Sequence, residues 1–69
     1  MNLYQKYVEL LTRSGVTTYQ VCKETGLNQG MFTMWKQRSE KDDKATINIF
    51  DLKKIADYFG VSIEYFLEA

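Results

Sequence analysis

Five residues in one short stretch, Gln29, Gly30, Met31, Thr33 and Met34, are suited to touching another molecule rather than transforming it. Gln29 can donate and accept hydrogen bonds in one plane, which matches the major-groove edge of an adenine. Thr33 offers either a methyl group to a thymine methyl or a hydroxyl to a base edge. Gly30 has nothing to read with, but lets another backbone come close. Met31 and Met34 are flexible and polarizable and fit apolar base edges loosely. Around these five stand groups fit for phosphate oxygens: Thr17, Thr18 and Asn28 as neutral donors, Lys36 and Arg38 as cations. The competing reading is an ordinary exposed helix face. No Arg or Asn lies among the five, so side-chain readout of bases is modest, with DNA shape and neighbouring protomers supplying the rest. Catalysis has little to work with, because the chain has no histidine, the commonest general base.

Two short helices must position these groups. The first is expected from Thr18 to Thr25, with Thr17 as N-cap and Gln20 at capping-box spacing. Gly26 supplies a left-handed residue to end it. Asn28 caps the second, from Gln29 to about Arg38. Val21 and Leu27 flank the turn, and Phe32 and Trp35 share one face of the second helix. That spacing favours burial of both rings over a role as stacking platforms for single-stranded nucleic acid. Cys22 falls where the two backbones approach most closely, a site for inert packing rather than redox chemistry. The arrangement is that of a helix-turn-helix, whose second helix enters a DNA major groove.

The run VCKETGLNQGMF, together with Trp35 and the later LKKIADYFGVSIEYFL, resembles the phage repressor and Cro class of XRE-type helix-turn-helix domains. The resemblance covers nearly the whole chain. It implies an all-α, five-helix, lambda-repressor-like DNA-binding domain with the helix-turn-helix at about 18–37, and a regulator that occupies an operator. The chain departs from the family at Cys22, where Ala is usual, and at Leu11 and Lys36, where many members pair an Arg with a Glu. It also departs in SEKDDKATIN, which is longer than the usual loop after the recognition helix.

The remaining elements follow from caps and periodicity. Asn2 with Gln5 caps a first helix through Ser14, with Leu3, Tyr7 and Leu10, and also Leu11 and Ser14, on its inner side and Gly15 as its stop. Ser39 to Ala45 is polar and charge-mixed and reads as a solvated loop. Asn48 caps a fourth helix ended by Gly60, with Leu52, Ile55, Ala56 and Phe59 buried and Asp51 in its first turn. Ser62 caps a short last helix in which Ile63, Phe66 and Leu67 face inward. Tyr65 is left over, and is therefore the expected dimer surface.

With 69 residues the chain is a single domain (1–69), near the lower limit for a self-sufficient core. Hydrophobic residues make up 45% and proline is absent, which favours a helical domain over disorder. One cysteine and no histidine argue against a disulfide or a metal site, and no cofactor or small-molecule ligand is evident. Neither a membrane span nor a secretion signal is visible, so the cytoplasm is the expected location. Net charge is zero, but unevenly spread: residues 1–38 hold five cations against two anions, whereas 39–69 hold four against seven. The expected partner is a double-stranded DNA operator, bound by a weak homodimer on half-sites about 34–36 Å apart. The rival, favoured by the neutral charge and the methionines, is a protein-interaction module on the same fold, an antirepressor or antitoxin-like partner.

Overall fold

A computed structural model describes residues 2–67. Among them the chain forms five helices: α1 (Leu3–Ser14), α2 (Thr18–Thr25), α3 (Gln29–Lys41), α4 (Ile49–Phe59) and α5 (Glu64–Leu67). Local chemistry sets most of these boundaries. Asn2 and Gln5 exchange backbone and side-chain hydrogen bonds in a capping box, as do Thr17 and Gln20. The Asn28 and Asn48 side chains each accept from the amide two residues on. Gly26 ends α2 with φ of +79°, a conformation in which a Cβ would be strained, and its amide donates to the Cys22 carbonyl at 2.8 Å.

Burial of one stripe from each helix holds the elements together. Tyr7 and Leu10 of α1, Val21 and Cys22 of α2, Phe32 and Trp35 of α3, Leu52, Ile55 and Ala56 of α4, and Phe66 of α5 form one cluster. Helix α1 packs on α3 and α5, and α2 packs on α3 and α4. Tyr7 stacks on Phe32 with centroids 5.0 Å apart and lies 5.5 Å from Trp35. Tyr4 adds an edge-on contact to Trp35 at 5.2 Å. Such pairs contribute about 0.5–1.5 kcal/mol each beyond their buried area.

Three expectations need correction. Helix α3 runs three residues past Arg38, because Ser39 continues the buried stripe of Phe32 and Trp35 at helical spacing. Its carbonyl accepts from Asn2 Nδ2, tying the end of α3 to the start of α1. The segment that follows is pinned as well: Ala45 is buried and its carbonyl accepts from Trp35 Nε1 at 3.3 Å, while an Asp42 turn precedes it. Ser14, the last residue of α1, is exposed rather than inward. In α5 the inward residue is Phe66, whereas Leu67 is 60% exposed and Tyr65 is half-buried.

Trp35 is thus a structural residue with a buried polar tip. Trp35→Ala should cost about 3–5 kcal/mol, a large part of the stability of so small a domain. Chemical denaturation followed by circular dichroism measures this, and a variant that melts near the wild type would contradict the packing described.

Candidate functional site

The buried stripe of α3 leaves the rest of that helix to solvent and divides it into three faces. Opposite Phe32, Trp35 and Ser39 lie Gly30, Thr33 and Gln37, all exposed. Gln29 and Lys36 flank this line on one side and Met31, Met34 and Arg38 on the other.

The first flank borders a cleft of about 300 Å³ lined by Tyr4, Thr18, Gln29, Phe32, Thr33 and Lys36. Four of the residues expected to touch DNA therefore meet here, one from the start of α2 and three from along α3. Tyr7 is the reason. It is fully buried, yet its hydroxyl shares a 2.8 Å hydrogen bond with Thr18 Oγ1, fixing the first residue of α2 against α1 while the ring stacks under α3. Capping bonds take up the amides of Gln20 and Gly30, and those of Val21 and Met31 turn back to the Thr17 and Asn28 carbonyls. The donors left at the two helix starts are the amides of Thr18, Tyr19 and Gln29, each at the positive end of a helix dipole. On its other side Lys36 borders a second cleft with Glu40 and Asp43, which offset part of its charge.

The second flank is different in kind. Met31, Met34 and Arg38 face Ile47, Asn48 and Asp51 across an open groove of about 740 Å³, with Asn28 and Gly30 at its end. Met34 is 62% exposed. Phe50, between Asn48 and Asp51 in sequence, is 73% exposed.

The ten residues expected to touch DNA thus fare unequally. Gln29, Gly30, Thr33 and Met34 are exposed on or beside the outward line, as are Lys36 and Arg38. Met31 is half-buried against the core, so it forms a groove wall rather than a free reader. The Thr33 hydroxyl donates back to the Gln29 carbonyl at 3.3 Å, which leaves its methyl as the outward group. The side-chain oxygens of Thr17 and Asn28 are engaged as caps, and Thr18 is held by Tyr7. Gly30 has a structural role besides close approach: a Cβ there would stand 3.1 Å from Asn28 Oδ1, against the cap of α3. Tyr65, expected as an exposed dimer surface, packs on the core instead, with Lys6 Nζ donating to its carbonyl and lying 5.9 Å from its ring centroid. Two exposed residues were missed, Gln37 and Tyr19. Gln37 could have been found from its spacing of four from Thr33.

Among the described residues no group of His, Cys, Asp and Glu is placed to hold a metal ion, and no helix is long and apolar enough to cross a membrane. Comparison with protein-family models, with curated proteins and with solved structures gives no match.

The Tyr7–Thr18 contact has a signature in pH. Burial raises the Tyr7 phenol well above its ordinary value of 10.0, outweighing the opposing effect of the Thr18 hydrogen bond. Unfolded chains then lose this proton above pH 10 while folded ones keep it, so the contribution is intact below pH 10 and is lost as pH rises above it. Stability should fall there by up to about 1.4 kcal/mol per pH unit from this group. Tyr4 and Cys22, both also raised by burial, add to the decline. Denaturation between pH 8 and about 11 should show a shallower decline for Tyr7→Phe than for the wild type; equal slopes would contradict the role given to the buried phenol.

Proposed function

We propose that this chain is a sequence-specific, double-stranded DNA-binding transcriptional regulator, with α2 and α3 as a helix-turn-helix and α3 lying in the major groove. The observation that carries the reading is the cleft where Thr18, Gln29, Thr33 and Lys36 converge beside the exposed line of α3. A major groove about 12 Å wide admits one helix. With Gly30, Thr33 and Gln37 directed at the base edges, the starts of α2 and α3 meet the flanking phosphates through their free amides. Gln29 is then the principal hydrogen-bonding reader, the Thr33 methyl and Met34 supply apolar contact to thymine, and Lys36 and Arg38 neutralise phosphates. Regulation follows from occupancy: a bound domain blocks polymerase at the operator.

A second reading, a protein-interaction module on the same fold, is favoured by the apolar groove beside Met34 and the exposure of Phe50. Selection of bound duplexes from a random pool, repeated at two salt concentrations, separates the two. Enrichment of a common sequence at both concentrations is expected, and no enrichment at either would pass the function to the interaction reading.

Two variants then assign roles on the selected duplex. Gln29→Ala should weaken specific binding by about 1–3 kcal/mol and leave random duplex almost unaffected. Lys36→Ala should weaken both alike and reduce the slope of log K against log salt by about 1. Equal losses on both duplexes for Gln29→Ala, or an unchanged slope for Lys36→Ala, would contradict these assignments.

A further inference from the structure

We propose that the groove between α3 and the start of α4 is a self-association surface, which takes the Phe50 side chain of a second copy of this chain. One surface carries both halves of one contact. Phe50 is 73% exposed and stands in sequence between Asn48 and Asp51, which line the groove, but it is not itself a lining residue, so within its own protomer it does not fill that space. The groove has Met31, Met34 and Ile47 as apolar walls. The charges are arranged in the same way. Arg38 and Asp51 both line the groove, yet the one ion pair among the described residues is Arg13–Glu9, so these two do not pair with each other.

A two-fold contact resolves both mismatches together. In an isologous interface, if residue i meets residue j of the other copy, then j meets i, so every complementary pair on one patch is formed twice. Phe50 of each copy enters the groove of the other, and each Arg38 meets the partner's Asp51. A different protein would need to supply only one half of each pair. The presence of knob and groove, acid and base, on one patch is what points to a second copy.

The size of the patch sets the strength. Met34 and Phe50 together expose on the order of 250 Å² of apolar surface, near the scale of the largest patch on an ordinary monomer. With the groove walls and the polar rim, both copies together would bury about 1,000 Å², the lower edge of specific interfaces. The pair is therefore weak, with Kd between about 10 μM and 1 mM. It also has a consequence if α3 reads DNA as proposed above. Both α3 helices border the contact, so they lie closer together than the 28 Å length of a protomer. Successive major grooves are about 34–36 Å apart. This pair cannot place both α3 helices on one operator, so self-association and paired operator binding exclude each other.

Sedimentation of the full chain without DNA, from about 10 μM to 1 mM at low salt, tests the contact. The wild type should pass from monomer to dimer across that range. Phe50→Ser, which alters an exposed side chain, should weaken the pair by at least about tenfold. Arg38→Asp and Asp51→Arg should each weaken it by about tenfold, and the double exchange should return it to within about threefold of the wild type. Restoration by the second charge cannot come from a folding defect. A wild type that stays monomeric throughout would overturn the proposal and leave the face to a different protein; single charge variants that associate like the wild type would overturn the register. No DNA enters these measurements, so their failure is distinct from failure of the DNA-binding reading.

Discussion

Tyr7 is the residue through which the helices are tied to one another. Its ring stacks on Phe32 of α3, lies 5.5 Å from Trp35 and meets Phe59 of α4 edge-on at 6.4 Å, while its hydroxyl reaches Thr18 at the start of α2. One α1 side chain therefore sets the position of α3 and the start of α2 relative to each other. Burying a phenol is costly unless its hydroxyl is paired, and a threonine as the first residue of α2 supplies that partner. The geometry of the exposed cleft is a consequence: Thr18, Gln29 and Lys36 lie around one opening because the groups beneath them share Tyr7.

Opposite demands are met on the two flanks of α3. One flank is polar and sits between two helix starts, where backbone amides and positive dipole ends favour an anion. The other is apolar, open and walled by Met31, Met34 and Ile47. Thr33 borders both, so a few ångströms of one helix separate a polar surface from an apolar one. The near-even charge is understandable in these terms. The three exposed cations of α3, Lys36, Arg38 and Lys41, fall short of the 6–10 phosphate contacts of a strong electrostatic binder. Under the proposed function, orientation of amides and side chains would have to contribute more than net charge, with a correspondingly low non-specific affinity.

Much of the fold was legible in the sequence, because the signals were local. Capping boxes at Asn2 and Thr17, caps at Asn28 and Asn48, and glycines after α1, α2 and α4 each fix a boundary by chemistry within four residues. Legibility ended where tertiary packing decided. The end of α3 has no glycine, and Ser39 looks like a loop residue until its place on the Phe32–Trp35 stripe is seen. Tyr65 and Leu67 were exchanged between inside and outside because a four-residue helix is too short for its periodicity to define a face. The cleft was legible as a set of residues but not as a shape. The apolar groove was not, since its walls come from α3 and from Ile47 to Asp51, two segments that no local signal in the sequence brings together.

Amide chemical shifts recorded while a duplex is titrated into the labelled protein test most directly whether α3 and the start of α2 form the DNA-binding surface. Shifts should concentrate at Thr18, Tyr19, Gln29, Gly30, Thr33, Lys36 and Gln37 and diminish with added salt, with α5 unaffected. Absence of shifts at low salt, or shifts centred on α5 and the outer face of α1 while α3 stays unchanged, would contradict this.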